Sequence, residues 1–121
     1  MNLYVFMAVA MLALLGAAPA SASCIYPEPP TSVPDGDTAT YEEMVDAHRI
    51  IKEFDVDIRH FTVCLQSEAE RVMQNPDLDE EEKQRVQQQL AELNDAAVDH
   101  AQLAADEFNL QLRKYRERNA Q

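Results

Sequence analysis

Residues 44–72 read MVDAHRIIKEFDVDIRHFTVCLQSEAERV, and this stretch decides the fold. Its apolar residues recur at alternating steps of three and four, and only Glu68 breaks the pattern. Such spacing places one apolar stripe along a helix, at close to the period of about 3.5 residues that is typical of helices packed side by side. The stretch therefore predicts a long helix that needs a partner. The stripe consists of Met44, Ala47, Ile51, Phe54, Ile58, Phe61, Leu65 and Val72.

The first helix is predicted to span about residues 41–74. Thr40 and Glu43 have the spacing of a capping box, in which the hydroxyl accepts from the Glu43 amide and the carboxylate reaches back. The helix is expected to end at Asn75, because the residue before a proline is disfavoured in helical geometry. A second apolar set is expected to widen the buried face, namely Tyr41, Val45, Cys64, Ala69 and Met73.

A second helix is predicted over about residues 80–118, with Asp79 as its N-cap. Carboxylates in its first turn and cations near its end complement the helix dipole. The alternative role for the basic end is contact with anionic lipid or an acidic partner. The acids are Glu80, Glu81 and Glu82, and the cations are Arg113, Lys114, Arg116 and Arg118. The inward stripe is Val86, Leu90, Leu93, Ala97, His100, Ala104, Phe108 and Tyr115, with Leu103, Leu110 and Leu112 near its edge.

The short connection between the helices predicts an all-α fold, a long antiparallel two-helix hairpin that resembles a coiled coil. Residues whose numbers sum to about 155 then face each other, so large side chains oppose small ones. The residues brought together are Phe54, Ile58 and Phe61 on one helix with Leu93, Ala96 and Ala97 on the other. Because a hairpin has two open sides, the remaining apolar residues are expected to be covered by the preceding segment or by another copy.

Residues 1–22 are predicted to be an export signal. An uncharged apolar run from Leu3 to Ala18 is followed by the small residues Ala20-Ser21-Ala22, after which cleavage is expected. The alternative is a retained membrane anchor, but a membrane span needs about 20 apolar residues. The protein is therefore expected in the periplasm or outside the cell, with no stable membrane span after cleavage.

Cys24 and Cys64 are the only cysteines, and in an oxidising compartment they are predicted to form one disulfide. Closing a loop of about 40 residues would stabilise the fold by about 4 kcal/mol. Lipidation of Cys24 is the alternative, because small residues precede it as they precede lipid-modified cysteines. It would leave Cys64 unpaired.

Residues 23–39, the leader, are rich in proline and contain Gly36, so an extended conformation is expected. The leader is either disordered or ordered, and in the ordered form it turns at Asp35-Gly36 and runs back along the first helix. Cys64 lies about 35 Å along that helix and the extended leader spans about 50 Å, so the disulfide fits the ordered form. The leader residues expected to cover the helix are Ile25, Tyr26 and Val33.

The chain carries 22 acidic and 10 basic residues, a formal net charge of −12 at pH 7. This balance argues against nucleic acid as a partner, because the phosphate backbone is bound by basic surfaces. After residue 22 Gly36 is the only glycine, so there is no phosphate-binding loop, and no Cys-x-x-Cys motif exists for redox work or haem attachment. No enzyme class and no cofactor is indicated.

Three histidines, His48, His60 and His100, are the candidates for metal or acid–base chemistry. A zinc site needs about four convergent ligands, and Cys64 cannot be one of them if it forms a disulfide. Asp57 and His60 have the i, i+3 spacing of di-iron bundles, but the motif has no second copy. The acidic run that opens the second helix lacks the glycine-containing loop of a calcium site. No catalytic or metal-binding residue is therefore predicted.

Three short motifs follow Cys24 and the leader prolines. They are Pro34-Asp35-Gly36, Glu43-Met44 and Cys64-Leu65. Together they resemble small, uncharacterised exported bacterial proteins in which a proline-rich start with P-D-G leads into a helix ending in C-L-E. This chain has Gln66 in place of the final Glu, and the likeness spans about residues 24–66. The resemblance implies an exported helical protein and carries over no active site.

The expected function is that of a non-enzymatic structural or interaction component of the bacterial envelope. It would act through helix packing, with a protein, including itself, as partner. The alternative is a periplasmic chaperone-like binder of exported clients, which would use Met44, Met73 and aromatic residues for adaptable contacts. A third hypothesis is a metal-dependent activity that uses His60 and His100.

Overall fold

The structure is a computed structural model that describes residues 23–121. Two α-helices, α1 (Tyr41–Gln74) and α2 (Glu80–Asn119), pack against each other as an antiparallel hairpin. The part of the chain from residue 23 onwards contains no β-strand. The predicted all-α hairpin is confirmed, and the predicted export signal, residues 1–22, lies outside the described residues.

Both helices begin at a capping box. In α1 the Thr40 hydroxyl accepts a hydrogen bond from the Glu43 amide at 3.2 Å, and the Glu43 carboxylate accepts one from the Thr40 amide at 2.7 Å. In α2 Asp79 and Glu82 make the same two bonds at 2.8 and 3.0 Å. Asp79 was expected as N-cap, and the reciprocal bond from Glu82 follows from the same three-residue spacing that identifies the first box.

The chain reverses direction between the helices over a short turn. Asn75, the residue before Pro76, has extended backbone geometry with ψ at 115°, and its side chain accepts a hydrogen bond from the Asp77 amide at 2.9 Å. The proline therefore ends α1 at the predicted residue. The next helix, α2, begins four residues after this proline, at Glu80.

The apolar stripe of α1 is buried along its whole length, since each of the eight predicted residues is 8% exposed or less. The stripe packs on α2 in two clusters. Met44, Ala47 and Ile51 surround Phe108, together with Ala39 from the leader. Phe54, Ile58, Phe61 and Leu65 surround Ala97.

Ala97 is the most deeply buried residue of α2. It is fully buried, at 0% exposure, and four large side chains of α1 belong to its cluster. The predicted contact of large with small residues is therefore confirmed at Ala97. It is wrong for Leu93, which is 44% exposed, and for Ala96, which is exposed, because both lie to one side of the line that faces α1.

Several residues predicted to be buried are exposed. Tyr41, Val45 and Met73 are 70%, 47% and 53% exposed, whereas Cys64 and Ala69 are half-buried. On α2 His100 also faces outwards. The reason is that one partner helix covers only a narrow strip of α1, and side chains on the flanks of the strip stay in water.

Glu68 breaks the apolar stripe near the turn end of the hairpin. Its carboxylate accepts a hydrogen bond from the Arg71 guanidinium, with Nε at 3.1 Å. This hydrogen bond lowers the pKa of Glu68. The half-buried carboxylate therefore stays ionised beside the Arg71 guanidinium.

The close contact at Ala97 can be tested by overpacking. We expect Ala97→Leu to lower the free energy of unfolding by about 1–3 kcal/mol, because added methylene groups in filled space push the helices apart. The control is Ala96→Leu at the exposed neighbouring position, with an expected change below about 0.5 kcal/mol. Urea unfolding followed by circular dichroism measures both values, and equal losses in the two variants would contradict the packing described.

Candidate functional site

The hairpin has two grooves between its helices, and the leader fills one of them. Residues 29–33 of the leader line a recess with His100, Leu103 and Ala104 of α2. Tyr26 and Val33 pack on the two buried clusters. The leader is therefore ordered and runs back along α1, as in the ordered alternative.

The leader begins at a covalent link to the middle of α1. Cys24 and Cys64 form a disulfide with their Cα atoms 5.8 Å apart, a normal separation for such a bond. A Cys24 in this bond has no free sulfur for a lipid. Ile25, predicted to cover α1, is 85% exposed, because the next residue, Tyr26, is the one that turns towards the helices.

Tyr26 connects the leader to both helices. Its ring packs edge-on against Phe61 of α1, with ring centroids 5.0 Å apart. Its hydroxyl lies 2.7 Å from Nδ1 of His100 on α2. Burial raises the pKa of Tyr26. His100 thus faces the leader groove, where it holds a leader residue, and does not enter the contact between the helices.

The leader ends in a turn that rests on the backbone of α2. Gly36 is buried, and its amide donates a hydrogen bond to the Gln111 side chain at 2.9 Å. A Cβ atom on Gly36 would lie 1.9 Å from the Gln111 carbonyl oxygen and 2.8 Å from the Tyr115 nitrogen. Its φ is not positive, so this position needs glycine for space and not for backbone conformation.

Two cations near the end of α2 hold the same turn. Lys114 lies 4.0 Å from the Asp35 carboxylate and 3.6 Å from that of Asp37. Arg118 donates hydrogen bonds to the carbonyl oxygens of Asp37 at 2.7 Å and Ala39 at 2.6 Å. Sequence reasoning assigned these cations to the helix dipole and missed the leader as their partner. The sequence feature that could have indicated this interaction is a glycine between two aspartates, in a chain whose second helix ends in cations.

The other groove, which we call the open groove, contains no leader residue. It consists of two recesses of about 360 and 280 Å³ between α1 and α2. The recesses belong to the same side of α2, because α2 residues that line them recur at steps of three, four or seven. A hydrogen bond from the Gln87 side chain to the Ala69 carbonyl oxygen, at 2.8 Å, crosses it. The α2 residues that line it include Gln87, Ala91, Asn94, Ala101, Ala105 and Leu112.

The three histidines do not form a common site. His48 lies in the open groove with its ring 5.7 Å from that of Phe108, His60 is exposed on α1, and His100 contacts Tyr26. Between residues 23 and 121 no three His, Cys, Asp or Glu side chains are close enough together to hold a metal ion.

The acidic run that opens α2 is used locally. The Glu80 carboxylate lies 3.3 Å from the Lys83 ammonium group, and that of Glu81 lies 3.9 Å from the Arg85 guanidinium. Glu82 completes the capping box. Each of these three carboxylates therefore interacts with a residue near the N-terminus of α2.

Comparisons of the chain with known protein families, with curated proteins and with solved structures found no match. Neither of the two described helices is long and apolar enough to cross a membrane.

The fit of the leader turn can be tested with Gly36→Ala. The new methyl group meets backbone atoms of α2, which should cost about 1–3 kcal/mol and outweigh the gain of about 0.4–1 kcal/mol from a stiffer unfolded chain. We expect a lower free energy of unfolding and faster proteolysis of the leader. Ser32→Ala, at an exposed leader position, is the control. A Gly36→Ala variant as stable as the wild type would contradict the contact.

The burial of Tyr26 predicts that the stability of the folded protein depends on pH. Its folded pKa is raised above the ordinary value of 10.0, so the stabilisation from the neutral phenol is complete below pH 10 and is lost as pH rises through the raised pKa. We expect Tyr26→Phe to lose less stability than the wild type between about pH 9 and pH 11. Tyr41→Phe, at a position 70% exposed, is the control. Parallel pH profiles for Tyr26→Phe and the wild type would contradict the burial.

Proposed function

We propose that this protein is a non-enzymatic, exported structural or interaction component of the bacterial envelope. It acts by packing its helices against another protein, and a second copy of itself is its first partner. The proposal follows from the surface that the fold leaves uncovered, and not from any catalytic or ligand-binding group.

The observation that carries the proposal is the number of large apolar side chains still exposed after the helices and the leader have packed. Such residues are buried where a partner is available, and extended apolar surface marks sites of protein interaction. Those of the hairpin with at least 40% exposure are Tyr41, Val45, Ile50, Val56, Val63, Met73, Leu93, Val98, Leu103 and Leu110.

Two further features support export and a rigid role. A disulfide within the fold suits an oxidising compartment. The leader is held at one end by this bond and at the other by Gly36 and two cations of α2. The hairpin is therefore suited to present a fixed surface to a partner.

The chaperone-like alternative has less support. It relied on methionines available for adaptable contacts, and Met44 is only 4% exposed, whereas Met73 is 53% exposed. One of the two methionines thus belongs to the core of the hairpin.

Light scattering on the purified protein tests the proposal, with the full chain expressed in an exporting host and recovered in its processed form. We expect a mass that rises above that of the monomer with concentration, and binding of a hydrophobic dye that decreases as the protein associates. A protein that stays monomeric at the highest concentration and binds no dye would contradict the proposal.

A further inference from the structure

We infer that the open groove is the interface through which two copies of this protein pair antiparallel, α2 against α2, about a twofold axis at Val98. This inference rests on the proposed function and specifies its partner as a second copy. It assigns one surface and one relative orientation to the association.

The shape of the open groove supports this pairing. The leader occupies the opposite side of the hairpin, and no residue between 23 and 39 lines either recess of the open groove. Val98 is seven residues from both Ala91, which lines one recess, and Ala105, which lines the other, so it points to the same side of α2. It is 50% exposed. Small side chains on both sides of an exposed valine allow a second helix to approach closely.

The charges at the two ends of α2 also support this pairing. Glu80, Val98 and Arg116 are 18 residues apart in turn, and 18 residues make about five helical turns, so the three side chains point in the same direction. Glu80 belongs to the acidic start of α2 and Arg116 to its basic end. A twofold axis at Val98 exchanges the two ends, and Glu80 of each copy then faces Arg116 of the other.

The same axis also matches the apolar positions. It places Ala91 of one copy opposite Ala105 of the other, and Val98 opposite itself. Arg116 is exposed and forms no ion pair with any residue between 23 and 121, so it is available to the second copy. A parallel arrangement would bring like charges together at both ends, which opposes association. An isologous pair of this kind closes on itself and leaves no repeating surface for fibre growth.

The outer side of α1 offers a matched comparison. Val56 is 46% exposed, close to the value for Val98. It lies among charged residues such as Arg49 and Glu53, which form an ion pair at 2.9 Å. This side therefore remains solvated in the inferred dimer.

A pair of aspartate substitutions tests the interface. We expect Val98→Asp to weaken self-association at least about tenfold, because two carboxylates would meet on the axis without partners. Val56→Asp is expected to change it by less than about twofold. Sedimentation velocity over a range of concentrations measures the dissociation constants, and circular dichroism checks that both variants keep their helices.

A charge exchange tests the orientation. Glu80→Arg or Arg116→Glu alone should weaken self-association several-fold, and the double variant should restore it. The two positions are about 54 Å apart in one chain, since 36 residues of helix rise by about 1.5 Å each, so recovery cannot arise within a monomer. The loss of the Glu80–Lys83 pair is common to the Glu80→Arg single and the double variant and does not affect their comparison.

The outcomes separate this inference from the proposed function. A dimer that resists Val98→Asp but dissociates with Val56→Asp would overturn the interface and leave the proposed function standing. A monomer that binds the hydrophobic dye would overturn both the interface and self-association, and would leave only an interaction with a different protein. A double charge variant no stronger than its single variants would overturn the antiparallel orientation.

Discussion

The packing of large side chains of α1 around Ala97 joins the two helices, and the rest of the structure depends on this contact. Because the contact residue on α2 is so small, it adds little apolar area to the layer between the helices. Only 11 apolar residues are buried between residues 23 and 121, and α2 contributes just Ala97 and Phe108 of them. A hairpin of this kind cannot bury its apolar surface by pairing its helices alone, so it needs a further layer on at least one side.

The leader supplies that layer, and its two ends are fixed by different means. At the start, the Cys24–Cys64 bond restricts the unfolded chain by closing a long loop, which is worth about 4 kcal/mol. At the end, Gly36 packs closely against the backbone of α2. Arg118 donates hydrogen bonds to two backbone carbonyl oxygens beside it. Between these ends Tyr26 and Val33 each complete one of the two buried clusters. An extended, proline-rich segment can therefore be ordered without forming any hydrogen-bonded element of its own.

The sequence predicts α1 better than α2, for a physical reason. The apolar residues of α1 follow one line, so their period identifies the buried face without knowledge of the partner. On α2 they lie on several sides: Leu103 is exposed beside the leader, Leu110 and Val98 are exposed elsewhere, and the buried centre is an alanine. The spacing of the apolar residues therefore does not identify which face of α2 points inwards. For this reason the prediction that placed His100 and Leu93 on that face is wrong. The contact of Gly36 with α2 joins segments 75 residues apart, so no local pattern reports it.

The cations at the basic end of α2 point to two different sides of the helix, because of their spacing along the chain. Lys114 and Arg118 are four residues apart and point to the same side, where they meet the aspartates and carbonyl oxygens of the leader. Arg116 lies between them in sequence, but its position two residues away turns it to the far side of the helix. The leader therefore binds Lys114 and Arg118 and leaves Arg113 and Arg116 exposed. In a molecule with a net charge of −12, those two cations are a local feature that an acidic helix start can recognise, and α2 itself begins with such a run.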